Sequence, residues 1–288
     1  MNISDNPQRL FSVAKDCMER LVNRAVNLVI PTGFNAIDNL VGGFQSPQVM
    51  LLAGRPYAGK TALLLNLAMN VTRDSSIPVA MFSPGHSNVE IVLKSFSQCG
   101  IDSSKFRDSS KLLMEDLSSI SEVQDSLKGL PLYIDDTQFQ TLEDFAYKVA
   151  KLVNGNGVKM VFIDGMEFFS FPGSLTSVEQ RALMLQTLRQ LADKFSITII
   201  ASERFRNIPD SRPIDLKEYE SNGFPQEVLK EYVDVAAVLS RPGVYGNDCG
   251  DDSAQIRILH NNNGRRDIVL GLHFVPECYS FKDIEETL

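Results

Sequence analysis

Apolar residues along this chain follow two rhythms, and the change of rhythm falls near residue 31. On the N-terminal side, Leu10, Ala14, Cys17, Met18, Leu21 and Ala25 recur at i, i+4, i+7, i+8, i+11 and i+15, the spacing of one helix face. Pro31-Thr32-Gly33 then breaks the chain. The pattern predicts a separate N-terminal helix over residues 1–30, with an apolar stripe that needs a partner, ahead of a main body at 31–288.

Within the body, short apolar runs alternate with helical patterns. Runs at 49–54, 79–83, 132–135, 160–164 and 198–202 read as buried strands, and 89–99, 111–127, 142–153 and 178–195 read as helices between them. That alternation predicts an α/β fold with a parallel sheet and crossover helices. The last third differs. Runs at 233–239, 254–259 and 268–274 are strand-like, joined by Gly/Asn/Asp-rich turns without helical patterns between them, so an antiparallel extension of the sheet is expected. The polar, proline-punctuated segment 207–226 is expected to be a loop.

Chemistry enters at the turn between the first strand and its helix. Gly54-Arg55-Pro56-Tyr57-Ala58-Gly59-Lys60-Thr61 reads G-x-x-x-x-G-K-T, a phosphate-binding loop in its proper strand–turn–helix setting, continuing into Ala62. A helix N-terminus behind a glycine-rich turn aims backbone N–H groups and the positive end of a dipole at a polyphosphate. Lys60 would neutralise the β- and γ-phosphates, and the Thr61 hydroxyl would hold Mg²⁺. A second element, Met160-Val161-Phe162-Ile163-Asp164, is an apolar strand ending in a carboxylate. On the phosphoryl-transfer template Asp164 would face the loop and hold the same Mg²⁺, which makes ATP and Mg²⁺ the expected ligands.

Composition narrows the setting. A formal net charge of −8 weighs against a protein that binds nucleic acid over its whole surface, though not against a local basic channel. Arg204, Arg206, Arg212, Arg265 and Arg266 are the candidate cations, and ordinary solvated surface charge is the alternative reading. Cys17, Cys99, Cys249 and Cys278 are scattered with no C-x-x-C pair, arguing against a zinc site or a disulfide framework. With no apolar run of membrane-spanning length and no secretory pattern, a cytoplasmic protein is expected.

These motifs sit inside a longer set that resembles the DnaB-type replicative helicases. Thr32-Gly33-Phe34-Asn35-Ala36-Ile37-Asp38-Asn39-Leu40-Val41-Gly42-Gly43-Phe44 is similar to that family's T-G-F-x-x-L-D-x-L-x-x-G-F lead-in. The R-P-x-x-G-K-T form of the phosphate loop, Pro131-Leu132-Tyr133-Ile134-Asp135-Asp136-Thr137, Leu188-Arg189-Gln190-Leu191-Ala192, the I-I-A-S strand ending at Ser202, and Arg212-Pro213-Ile214-Asp215-Leu216 follow in the family's order. The resemblance spans roughly residues 8–282. It implies a RecA-like P-loop NTPase core in a hexameric ring, ATP bound between subunits, single-stranded DNA in the pore, and contact with other replication proteins. It also implies that the N-terminal stripe is the linker helix docking on a neighbouring subunit. The family's N-terminal, primase-contacting domain finds no match.

Departures from the family pattern fall on the parts that perform hydrolysis. Where the family reads F-S-L-E-M-S, with the glutamate polarising water, this chain reads Phe82-Ser83-Pro84-Gly85-His86-Ser87. Glu203 replaces a glutamine that senses the γ-phosphate, and would repel that phosphate unless protonated or turned away. His260-Asn261-Asn262-Asn263-Gly264 replaces K-Q-R-N-G, which removes a lysine and an arginine finger. Candidate substitutes are Glu167 or His86 for the water, and Arg265 and Arg266 for the finger. Two readings stay open: an ATP-driven helicase motor using Lys60, Glu167, Glu203, Arg265 and Arg266, or a nucleotide-binding ring subunit that hydrolyses weakly.

Overall fold

Runs in which every side chain is buried, such as Val79–Phe82 and Met160–Ile163, can lie only in the interior of a sheet covered on both faces. A computed structural model describes residue 18 and residues 29–108, 112–205, 215–245, 252–262 and 264–284. In chain order its strands are β1 (Gln48–Gly54), β2 (Val79–Phe82), β3 (Leu132–Asp135), β4 (Met160–Ile163), β5 (Thr198–Arg204), β6 (Val235–Ser240), β7 (Ser253–Asn261), β8 (Ile268–Val275) and β9 (Ser280–Asp283). They form one sheet in the order β3-β2-β4-β5-β1-β6-β7-β8-β9. β3 through β6 in that order pair parallel; β7, β8 and β9 pair antiparallel. The parallel core and the antiparallel extension are those the hydrophobic pattern predicts.

Helices α1 (Asn35–Val41), α2 (Lys60–Ser75), α3 (Asn88–Gln98), α4 (Ser104–Arg107), α5 (Met114–Leu127), α6 (Leu142–Asn156), α7 (Ser177–Phe195), α8 (Leu216–Ser221), α9 (Gln226–Tyr232) and α10 (Pro242–Tyr245) cover the sheet. Alternation along each strand divides the core in two. Met81, Phe162 and Ile200 pack toward Leu63, Leu64 and Phe281 on one face. Phe82, Ile163 and Ala201 pack toward Phe145, Met184, Leu188 and Tyr219 on the other. Helix starts follow local chemistry: Ser87 with Glu90, and Thr176 with Glu179, form reciprocal capping boxes at α3 and α7.

Two expectations need correction. Segment 207–226 is not all loop, because Leu216–Ser221 is helical. Asp215 and Glu218 cap it, and Tyr219 is fully buried with its hydroxyl donating to the Ala237 carbonyl at 2.7 Å. The C-terminal strands are also not wholly free of helices between them, since the one-turn α10 separates β6 from β7. The helical stripe of residues 10–25 lies outside the described residues except for Met18, which is helical and exposed. Arg206, Arg212, Cys17, Cys249 and Asn263 also lie outside them. Among the described residues no helix is long and apolar enough to cross a membrane.

Candidate nucleotide site

Parallel register brings the carboxyl ends of four neighbouring strands to one edge. Gly54 of β1 is level with Arg204 of β5, Ile163 of β4 with Ala201 of β5, and Phe82 of β2 with Ile163. The next residues, Ser83, Asp164 and Ser202, therefore emerge together beside the loop that leaves β1, the place where open α/β sheets bind ligands.

The loop's two motif glycines are each required by a contact. Gly59 has φ +96°, and a Cβ on it would lie 2.7 Å from the Phe281 ring. A Cβ on Gly54 would lie 2.6 Å from the Leu239 carbonyl oxygen of β6. Gly59 precedes α2, whose N-terminus has no side-chain cap, and the first amide groups of a helix have no partner within it, which suits them to an anionic ligand. Lys60 Nζ reaches back and donates to the carbonyls of Gly54 (2.9 Å) and Arg55 (2.8 Å). Burial lowers its pKa to about 8, against the pull of Glu167 and Asp164, which favour its charge.

Asp164 is buried and held by three hydroxyls: Thr61 Oγ1 donates to Oδ1 at 3.1 Å, Ser83 Oγ to Oδ2 at 3.1 Å, and Ser202 Oγ to Oδ1 at 3.3 Å. One carboxylate and one threonine hydroxyl are the hard oxygen donors that Mg²⁺ takes when phosphates and water supply its other positions. The residues present therefore fit the ion. His86 Nε2 lies 3.3 Å from Thr61 Oγ1 and 3.7 Å from Asp164 Oδ2, and its pKa is lowered by burial and by Lys94.

Three residues singled out in the sequence are placed here as follows. Glu203 is turned away from the cleft, with Oε1 accepting from Arg181 Nη2 of α7 at 2.6 Å. Burial raises its pKa to about 8 despite the pull of that arginine, so both conditions for tolerating a carboxylate here are met. The neighbours that do line the cleft are Ser202 and Arg204, as strand alternation requires. Arg204, a candidate DNA contact by sequence, stands in the nucleotide cleft with Nε 3.5 Å from Glu167 Oε1. At Gly85, where the family carries its glutamate, an added Cβ would meet the Phe168 ring at 2.7 Å, so the ring occupies the space a side chain there would enter.

Arg265 and Arg266 are exposed and lie far from this cleft. Asn261 at the end of β7 pairs with Val235 at the start of β6, placing both arginines at the opposite edge of the sheet from the loop. Arg266 Nε donates to the Asn261 carbonyl at 3.3 Å, and Asn262 Nδ2 donates to the Val233 carbonyl at 3.2 Å. Neither arginine can reach a nucleotide bound by its own chain.

Sequence reasoning missed the outer wall of the cleft. It is built by Arg241, Val244, Phe274, Pro276 and Tyr279 from the C-terminal third, with Arg241 lying 3.7 Å over the Phe274 ring. The cleft holds about 540 Å³. No local motif marks this wall, because its residues meet only through the antiparallel strands.

Residues 29–283 match the family profile described as DnaB-like helicase C terminal domain. The chain is 30% identical over 278 residues to the replicative DNA helicase DnaB of Geobacillus stearothermophilus, covering 94% of this chain and 60% of that protein. It is 28% identical, with the same coverage, to the replicative DNA helicase DnaC of Bacillus subtilis. The chain thus spans about three-fifths of the length of these relatives. Among solved structures, an ATPase domain superposes with a TM-score of 0.84 at 20% identity, over 97% of this chain and all of that one. A DnaB-like replicative helicase studied for its interactions with primase gives 0.81 at 20% identity, over 98% and 68%.

Proposed function

Because the chain belongs to the DnaB-like helicase C-terminal domain family, we propose that it is an ATP-driven DNA motor subunit. It binds ATP with Mg²⁺, assembles into a ring, a hexamer by family likeness, and moves on single-stranded DNA during replication. The body from residue 31 onward is the motor, and the preceding helix is the piece that docks on a neighbour. The observation that carries the reading is the convergence of Lys60, Thr61 and Asp164 on one cleft behind an uncapped helix N-terminus. Lys60 would supply charge to the β- and γ-phosphates, and Thr61 and Asp164 would hold a Mg²⁺ ion, whose chemistry there would be to offset phosphate charge. Phe274, Pro276 and Tyr279 offer an apolar wall against which a base can lie.

Arg265 and Arg266 are exposed at the edge of the sheet opposite the loop, and in this reading they serve a neighbouring subunit's nucleotide rather than their own. Titration of the full chain with a fluorescent ATP analogue and Mg²⁺ tests the reading. Lys60→Ala is expected to abolish binding, and equal affinity of variant and wild type would overturn it. A second reading, a ring subunit that holds nucleotide without turning it over, is favoured by one feature, the Phe168 ring against Gly85.

A further inference from the structure

We propose that Glu167 is the group that activates water in this cleft, acting from the Asp164 side while Phe168 closes the side of Gly85; this rests on the nucleotide-hydrolysing reading above. Among the described residues lining the cleft, the carboxylates are Asp164 and Glu167. Asp164 is the Mg²⁺ ligand of that reading and accepts from three hydroxyls. Of the acidic groups nearby, Glu203 is bound to Arg181, Glu90 is spent in the capping box of α3, and Asp135 pairs with Lys148 at 2.7 Å.

Glu203 Oε2 is, like Glu167 Oε2, buried with no hydrogen-bond partner, but of the two it is Glu167 that lines the cleft. It sits on the one-turn 3₁₀ helix Met166–Phe168, its side chain is 10% exposed, and its Oε2 is buried with no hydrogen-bond partner. An unpaired carboxylate oxygen inside a protein costs about 1–3 kcal/mol or more, so a position that retains one in a ligand cleft is best explained by a partner that arrives with the ligand. Two features aim it. Gly165, with φ +101°, turns the chain immediately after Asp164, and a Cβ there would lie 2.6 Å from Phe168 and 3.4 Å from Glu167 Oε2. Arg204 Nε lies 3.5 Å from Oε1 without hydrogen-bonding to it and presents a cation to the same space. The Phe168 ring packs against the Cβ positions of both Gly85 and Gly165.

In the step inferred, a water oxygen forms a bond to the terminal phosphorus and the bond from that phosphorus to the bridging oxygen breaks. The electron pair stays on the diphosphate, and the water's proton passes to Glu167, which later releases it to solvent. General-base assistance of this kind contributes ~10²–10⁴-fold.

The test uses the full chain with MgATP, reading phosphate release and, separately, binding of a fluorescent ATP analogue. Glu167→Gln is expected to lower kcat by at least ~100-fold with analogue affinity changed less than about threefold, as an interaction made only in the transition state requires. Glu167→Asp is expected to retain part of the activity, and formate is expected to restore part of that lost in Glu167→Ala, which a merely structural role would not permit. The inference is overturned if Glu167→Gln keeps more than about a tenth of wild-type kcat, or if turnover and affinity fall together. It is also overturned if wild type binds the analogue but releases no phosphate above the Lys60→Ala background, a result that leaves the binding reading standing. Failure of wild type to bind the analogue removes both.

Discussion

Nucleotide binding should take up a proton, and Lys60 sets how strongly. Its pKa in the free protein is about 8, lowered by burial. Phosphate oxygens at the loop would favour the charged amine and raise that value, so the bound form holds a proton that the free form has partly lost. At pH 8 about half of the lysines are neutral, and binding is expected to take up about 0.5 proton per nucleotide. At pH 9 about a tenth remain charged, so affinity should fall about fivefold between pH 8 and 9, approaching tenfold per pH unit above that, or about 1.4 kcal/mol. Between pH 6 and 7 affinity should hardly change. Calorimetric titrations in two buffers of different ionisation enthalpy give the uptake directly.

Glu203 has a pKa near 8 as well, so the same titrations on Glu203→Gln separate the two groups. Uptake should survive in that variant and vanish in Lys60→Arg, whose guanidinium is never deprotonated in this range. Affinity constant within about twofold from pH 7 to 9, or uptake abolished by Glu203→Gln, would refute the assignment to Lys60.

Glu203 itself should make stability depend on pH. Its folded pKa is raised from 4.5 to about 8, so the folded state keeps a proton that the unfolded state releases, and stability should fall as pH rises across that window. Urea unfolding at pH 5.5 and 7.5 should show a loss of roughly 2–3 kcal/mol in wild type that is absent in Glu203→Gln. Gly85→Ala should cost about 1–3 kcal/mol by pressing on the Phe168 ring, and little in a Phe168→Ala background; a double-mutant cycle without coupling would contradict the contact. Removing residues 1–28 should leave a folded monomer where the full chain forms larger assemblies with nucleotide; equal masses by light scattering would rule out the docking role.

What could be read in the sequence was what neighbours in sequence decide. The phosphate loop, the strand ending in Asp164 and the succession of strands and helices follow from local runs whose burial leaves no other placement. β9 escaped notice because Ser280–Asp283 is four residues of mixed polarity, fixed by pairing with β8 and by Asn66, whose Oδ1 accepts from the Phe281 amide at 2.8 Å. α8 carried a visible capping box, but the prolines before it suggested a loop; burial of Tyr219 beneath Phe205 and Phe224 decided for helix. Within the site, the direction of Glu203 depends on Arg181, which is 22 residues away, and the blocked space at Gly85 depends on Phe168. A sequence names such residues but cannot say which way they face.

The central claim is that this cleft drives a motor on DNA, and phosphate release by the full chain with MgATP, with and without single-stranded DNA, addresses it most directly. The account predicts release that Lys60→Ala eliminates and that single-stranded DNA raises several-fold. Release no higher than that of Lys60→Ala under both conditions would contradict it.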